Sequence, residues 1–527
     1  MASSKVGPVD LKFYNAFKQN IPPLHPRTTK LPSGHRKQPT CRLLTTTIIF
    51  YQDQTLVLGD GTKIYADIFR PQTDQKVPAI VMWGPYGKTG TGVLNLHSMP
   101  LRAGIPETQL SGYEDFEGMG SSGKLALAGN SWLAISQYFI AAEQPPQLAC
   151  IAPLEGLSDP LREQSLRGGI PNTAFNESIA GILPGRNKLE DYVAMSNTDS
   201  ALKSYLEDKR VDMTKIKVPT YIGASYSSPI HTIGSLRAFE EIPHQNKWYA
   251  TFFSRTSMYV KTNMLQHPGS FFTHPKNDLH NDWPQTAPVR MALLSFTKQA
   301  LLDQEVADLP WHLPEITRWR LHLSPTGEFT QDRQLEGGVL EYRTNSSDEL
   351  SFTYTFPANS MLIGPSTLVI DIAAPDHDDL DIHAHIFKAN ASETFLSHLN
   401  MPIPPNTPAS TVETMTQNRI WRYQGPNGMI WASKRHVSDS LSGKTWITLS
   451  LEHEKKIKPG EVVRLRVQLW PTGIVYEAGE QLVLKVSERQ MGLPALPELL
   501  EPTSANKGNH VLHIGGSHEA NLQFSTI

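Results

Sequence analysis

The chain has 527 residues, 39% of them hydrophobic and 19% charged, enough apolar material for more than one core, which excludes a disordered or fibrous protein. Its 48 Lys and Arg stand against 51 Asp and Glu, a formal net charge of -3, so the broad basic field that nucleic-acid binding needs is absent. Two cysteines, Cys41 and Cys150, provide neither a disulfide framework nor a cysteine-based zinc site and suit a reducing, cytoplasmic setting.

The first twenty residues lack the apolar stretch of a secretory signal. From Leu11 to Gln52 there is no acidic residue, while Lys12, Lys18, Arg27, Lys30, Arg36, Lys37 and Arg42 are basic. Pro22, Pro23 and Pro26 disfavour the amphipathic helix of a transit peptide. An irregular basic arm is expected over residues 1–50. Gln54 to Arg70 reads as two β runs around Asp60-Gly61, a strong hairpin signal. Val77 to Trp83 is a short apolar run of the kind buried on both faces, as is Leu125 to Ala128. A helical pattern from Trp132 to Glu143 stops at Pro145-Pro146. Leu148 to Pro153, Val218 to Ser225 and Trp248 to Phe253 read as further strands, with a helix over Ile233 to Glu241. Strands alternating with helices predict a parallel α/β sheet over residues 51–159 and 216–312. Residues 160–215, with helical spacing in Leu189 to Met195 and Ala201 to Lys209 and no convincing strand, are expected to be a helical insertion. From Trp319 the pattern alternates without helices, which predicts a β-sandwich over residues 313–527. No apolar run approaches the roughly 20 residues of a membrane helix, so no membrane partner is expected.

Gly129-Asn130-Ser131-Trp132-Leu133, between a strand and a helix, has the setting of a nucleophile elbow, although Leu133 stands where the last glycine of G-x-S-x-G belongs. Ser131 equally suits a plain helix N-cap. Gly87-Lys88-Thr89 matches the end of a phosphate loop, but Met82 occupies the first glycine position and no helix follows, so nucleotide binding is rejected. Asp381, His383 and His385 would share one face of a strand; an acidic turn leading into a half-apolar strand accounts for them without a metal.

The sequence resembles the cocaine esterase and Xaa-Pro dipeptidyl-peptidase-like serine hydrolases. The resemblance rests on Asp60-Gly61 to Arg70-Pro71, Gly84-Pro85-Tyr86-Gly87-Lys88, Ala128 to Leu133, Ile151-Ala-Pro-Leu-Glu-Gly156, Leu323 to Gly327, Phe352 to Pro357 and His510 to Gly516. It implies an α/β-hydrolase with a helical cap and a C-terminal jelly roll. It further implies Ser131 as nucleophile, with Tyr86 and the Trp132 N–H as oxyanion donors. Acyl transfer needs such donors aimed at the charge that develops on the carbonyl oxygen.

The departures are pointed. The family's triad acid belongs in the loop that here reads Ser225-Tyr226-Ser227-Ser228-Pro229, without a carboxylate, and its base in Phe252 to Ser257, without a histidine. Val93 to Gly123 carries no buried-strand run, so the sheet is expected to lack one central strand, through degeneracy or loss of a segment. The replacement bases on offer are His231 and His267, then His274 and His280, with Asp278 and Asp282 nearby. With both partners gone from their usual loops, no complete triad is expected, and Ser131 should bond to backbone or solvent. The reading is a serine hydrolase acting on an ester or amide of a small organic molecule through an acyl-enzyme on Ser131, without cofactor or metal. The alternative is a non-hydrolytic member, a small-molecule binding scaffold or an enzyme of natural-product (secondary metabolite) assembly. The partner is a small-molecule substrate in either case, and a homo-oligomer is compatible with both.

Overall fold

The structure is a computed structural model, and it describes residues 5–16, 23–75, 77, 79–88, 108, 110–113, 125–171, 174–183, 188–196, 202–226, 228, 230–252, 283–296, 301–306, 308–312, 316–333, 336–399, 408–410, 422–444, 446–491 and 508–526. The apolar runs of the first half assemble into one sheet in the spatial order Leu301–Val306, Val289–Leu293, Lys247–Phe252, Thr220–Ser225, Leu148–Leu154, Leu125–Asn130 and Ala79–Val81. All neighbours are parallel except Leu301–Val306, which runs antiparallel to Val289–Leu293. Thr220–Ser225 is buried at every position, the consequence of a strand covered on both faces. Two crossovers use the helices Trp132–Ala142 and Thr232–Glu241. The first places Leu133, Ala134, Ile135, Tyr138 and Ala141 against the sheet. It also buries Gln137, whose carbonyl accepts from the Ala152 N–H at 3.0 Å. The segment Val93 to Gly123, in which a strand was expected to be missing, lies outside the described residues apart from Thr108 and 110–113.

The described residues among the first fifty do not form an irregular arm. Lys5–Val6 pairs with Val9–Asp10, and Phe13–Asn15 pairs antiparallel with Lys188–Glu190. Arg27–Leu31 adds an edge to the hairpin of Ile48–Val57 and Lys63–Pro71, with Gly61 at φ 85° in its turn. Polar, basic edge strands carry little hydrophobic alternation, and their exposed charges discourage pairing with other chains. That is why the segment looks featureless in sequence. The Lys188–Glu190 strand likewise corrects the expectation of a strand-free insertion: the helical spacing from Leu189 yields helix only over Tyr192–Ser196. The other elements among the described residues of the insertion are short helices, including Ala174–Ile182 and Leu202–Asp208.

The second half is a sandwich. One sheet is built on the long strands Ser360–Ala373 and Val463–Tyr476, joined by Thr317–Leu323, Gly338–Arg343, Asn509–Ile514 and Ala520–Thr526. The other consists of Leu350–Thr355, Gln481–Ser487, Asp381–Ala389 and Asn427–Trp431. Facing sheets bury the apolar half of each alternation, and this core is continuous with that beneath the α/β sheet. The junction is covered by backbone: the Leu294 N–H donates to Gly473 O at 2.8 Å, and the Val475 N–H to Leu294 O at 2.9 Å.

Lys388 closes this junction. It is 1% exposed, and its ammonium bonds Ser295 O at 2.9 Å, Val475 O at 2.6 Å and the Glu480 carboxylate at 2.6 Å. Removing one member of a buried ion pair strands the other. Lys388→Met is therefore expected to cost about 3–5 kcal/mol of stability, read as a lower denaturation midpoint in guanidinium. An unchanged midpoint would show that the junction does not depend on this cation.

Candidate active site

Ser131 sits between the end of the Leu125–Asn130 strand and the first residue of the Trp132–Ala142 helix. Its backbone is at φ 58° and ψ -118°, and its hydroxyl does not cap the helix, so the plain N-cap reading fails. A non-glycine residue in this region costs on the order of 1–3 kcal/mol and persists only where the surroundings impose it. Here the Ser131 N–H donates to Leu154 O at 3.1 Å, and its carbonyl accepts from the Ala134 and Ile135 N–H groups, both at 2.9 Å. Leu133 fits because two neighbours have no side chain. A Cβ on Gly129 would stand 2.5 Å from the Leu133 Cβ, and one on Gly84 2.0 Å from its Cδ1. The glycine missing from the usual pattern has been exchanged for glycines that face it.

Tyr86, buried on the loop after Ala79–Val81, donates its hydroxyl to Ser131 Oγ at 3.2 Å. The loop is anchored two residues on, where Lys88 bonds Asp53 and, at 2.9 Å, Asp67. Burial works against the Lys88 charge, but the two carboxylates more than offset it and its pKa is raised. Tyr86 and Leu133 pack with Leu183, Ile179 and Leu189 of the insertion, and the Trp132 ring meets Tyr192 edge-on at 6.5 Å. The 160–215 segment thus covers the serine. The Trp132 N–H is the first of its helix, a position without an intrahelical acceptor.

On the other side of Ser131 stands His231, 3% exposed, immediately before the Thr232–Glu241 helix. Its Nε2 lies 3.3 Å from Ser131 Oγ. Its Nδ1 faces Ser228 Oγ at 3.0 Å and Glu155 Oε2 at 3.4 Å. Glu155 follows the Leu148–Leu154 strand at φ 56° with no exposed surface. Its N–H donates to Gly223 O at 2.7 Å, and its other carboxylate oxygen accepts the Ser225 hydroxyl. Thr232 Oγ1 ties the intervening loop down through Ser225 O at 2.6 Å and Ser228 O at 2.9 Å. The hydrogen bond at Nδ1 is with Ser228, and the Glu155 carboxylate lies at ion-pair distance from the same nitrogen; a hydroxyl, an imidazole and a carboxylate in this order are groups that can pass a serine proton to Nε2.

The expectation that Ser131 would bond only to backbone or solvent does not hold, since its hydroxyl lies 3.3 Å from His231 Nε2, and a carboxylate, Glu155, stands 3.4 Å from the other ring nitrogen. The loop after Thr220–Ser225 indeed has no acid in its described residues. Leu148–Leu154 is the next strand in the sheet, with Leu154 opposite Gly223, so a carboxylate one residue beyond it enters the same space. Glu155 was the residue missed, although it lies within Ile151 to Gly156; the available signal was a lone carboxylate closing an apolar buried strand. Of the four candidate bases, His231 is at Ser131. His267, His274 and His280, with Asp278 and Asp282, lie outside the described residues, as do Ser227, Pro229 and 253–257.

On the strand that carries Asp381, His383 and His385, Asp381 accepts from the Trp431 indole, and burial lowers His385 to about 3. Among the described residues no group of three His, Cys, Asp or Glu is placed to hold a metal ion.

Two family models match the sequence. One, for the X-Pro dipeptidyl-peptidase (S15 family), covers residues 60–103 and 117–215; the other, for the X-Pro dipeptidyl-peptidase C-terminal non-catalytic domain, covers residues 281–523. Tyr86, Ser131 and Glu155 fall inside the first match, whereas His231 falls between the two. Among solved structures, a CocE/NonD family hydrolase from Staphylococcus aureus superposes with a TM-score of 0.80 at 21% identity, over 98% of this chain and 99% of that one. An aminopeptidase from a marine sediment archaeon, Thaumarchaeota archaeon, gives 0.62 at 12% identity, over 90% and 96% of the two chains. An α-amino acid ester hydrolase gives 0.61 at 12% identity, again over 90% and 96%. These likenesses establish the α/β-hydrolase fold with its C-terminal β-rich domain. A comparison with curated proteins found no match.

Glu155→Gln preserves the shape of the buried acid but removes the charge that holds His231. The rate of covalent labelling of Ser131 by a fluorophosphonate is expected to fall by about four powers of ten, with the midpoint of unfolding measured alongside. Labelling at the unaltered rate would remove Glu155 from the line.

Proposed function

Since the chain belongs to the X-Pro dipeptidyl-peptidase-like serine hydrolases, we propose that it cleaves an ester or amide of a small organic molecule through an acyl-enzyme on Ser131. The observation that carries this reading is the Ser131–His231 contact of 3.3 Å, with Glu155 behind the ring at 3.4 Å.

In the proposed reaction His231 Nε2 takes the hydroxyl proton as Ser131 Oγ bonds to the substrate carbonyl carbon. The carbonyl oxygen becomes an oxyanion and receives hydrogen bonds from the Trp132 N–H and the Tyr86 hydroxyl, donors fixed before the charge appears. The imidazolium, oriented by Glu155 and Ser228, gives its proton to the leaving alkoxide or amine as the carbon–heteroatom bond breaks. Water then loses a proton to His231 and attacks the acyl carbon. Collapse releases a carboxylic acid and returns the proton to Ser131. No step calls for a cofactor or metal. The non-hydrolytic alternative was motivated by the absence of an acid and a base, and the line through His231 to Glu155 takes that motive away. The partner in this reading is a small molecule bound under the 160–215 cap. The buried free thiols of Cys41 and Cys150 favour a cytoplasmic setting. Among the described residues no helix is long and apolar enough to cross a membrane.

A fluorophosphonate probe tests the nucleophile: labelling of the intact chain, abolished in Ser131→Ala, is expected, and absence of labelling across the pH range would sink the proposal. Tyr86→Phe keeps the ring packed on Leu133 and Leu183 and removes only the donor. Turnover of a simple aryl ester should then drop by roughly 10²–10³, with little change in KM.

A further inference from the structure

A cavity that Ser131 does not line lies where the insertion meets the sandwich. It has about 640 Å³ of empty space, part of it open to solvent, and its walls include Arg162, Glu163, Arg167, Ile233, Arg237, Trp446 and Trp470. The charges in these walls do not balance. Arg162 is paired with Asp159 at 2.8 Å, and Arg237 with Glu163 at 3.1 Å. Arg167, 7% exposed, has no carboxylate partner among the described residues. Its two Nη atoms donate to the Asn427 side chain (2.7 Å) and backbone carbonyl, and its guanidinium lies 4.1 Å from the centroid of the Trp470 ring. A guanidinium has five N–H donors, so two bonds to Asn427 leave three. The Arg466 side chain, which also lines the cavity, has no ion pair among the described residues.

Further donors are left over as well. The indole N–H of Trp446, 3% exposed, and the Nε atoms of Arg162 and Arg237 are buried without an acceptor. A buried cation without a counter-charge is costly, and so is each stranded donor. The turn that carries Arg167 is nevertheless held hard against the sandwich: a Cβ on Gly168 would stand 2.0 Å from Met429 O. The charge is built into the wall and cannot swing into solvent.

We propose that this cavity binds a small organic carboxylate, its charged end on Arg167 and its apolar body against Trp446 and Ile233. The planar fork of a guanidinium matches a carboxylate, and the rings and aliphatic side chains around it suit a hydrophobic remainder better than a fully hydrated inorganic anion. The site borders the reaction machinery: Ile233 and Arg237 lie on the helix that follows His231, and Arg162 and Glu163 lie on the turn after Glu155. Glu163 also accepts from the Ser158 and Asp159 N–H groups at 2.8 and 3.0 Å. An occupant therefore bridges the two segments that hold the base and the acid to the sandwich.

The test uses the full chain and does not depend on turnover, so its failure is separate from that of the hydrolase proposal. Thermal unfolding is followed against benzoate, with sulfate and chloride at matched ionic strength. Benzoate is expected to raise Tm by a few degrees in a saturable way, sulfate and chloride much less. Arg167→Gln should abolish the rise. Trp446→Phe, which removes the indole N–H together with part of the ring, should weaken binding severalfold, and it serves alone if Arg167→Gln does not fold. No saturable rise, an equal response to sulfate, or a benzoate effect that survives in the folded variants would overturn the proposal. Survival of the effect would mean binding elsewhere, including at Ser131.

Discussion

A carboxylate with no exposed surface must find its donors inside the protein, and Glu155 shapes the surroundings of Ser131 through this need. Its N–H is spent on Gly223 and one oxygen on the Ser225 hydroxyl. The other oxygen faces His231. These contacts join the strands Leu148–Leu154 and Thr220–Ser225 at their carboxyl ends, and they fix the loop from which the Thr232–Glu241 helix starts. The imidazole thereby stands between Ser131 on one side and Ser228 and Glu155 on the other. In an α/β sheet the carboxyl ends of neighbouring strands form the natural crevice for a ligand, so one buried charge organises the part of the sheet where chemistry can occur.

The serine itself depends on a different economy, that of volume. Its backbone angles are unfavourable for a residue with a side chain, and they hold because the strand behind and the helix ahead both bond to it. Leu133 would be excluded by any side chain at 84 or 129. With glycine at both, it becomes the apolar floor on which Tyr86 and Leu183 pack. The cap is thus tied to the elbow by hydrophobic contact, while the Tyr86 loop is tied to the N-terminal sheet by the charge cluster of Lys88, Asp53 and Asp67. Apolar packing sets the distance between cap and serine, and the ion cluster sets the reach of the tyrosine hydroxyl.

The sandwich is bonded to the α/β sheet and lines the arginine cavity. Its long strand Val463–Tyr476 continues the hydrogen-bonding of the α/β sheet through Leu294, and Lys388 fills the junction with the one charge that the surrounding carbonyls can satisfy. At the opposite side of the insertion the same domain supplies Asn427, Trp446 and Trp470 to the arginine-lined cavity. Seating on the sandwich fixes the turn from Asp159 to Gly169, and that turn begins a few residues after Glu155.

By itself, the sequence determined the two architectures, because continuous apolar runs broken by helical periods can only make a buried parallel sheet and strict alternation can only make faces of a sandwich. It also determined Ser131 and Tyr86, whose positions after strands are local facts, and it pointed to His231 among several histidines without choosing it. What it did not disclose was Glu155, because the acid reaches His231 across a strand pairing that no spacing in the chain encodes. The N-terminal strands and Lys188–Glu190 were hidden for a related reason: short polar strands are made by their partners, not by their own alternation. The presence of a carboxylate beside His231 was likewise a tertiary matter. It turned on which strand stands next to Thr220–Ser225, and a loop that has lost its carboxylate can be served from the neighbouring strand end a few ångströms away.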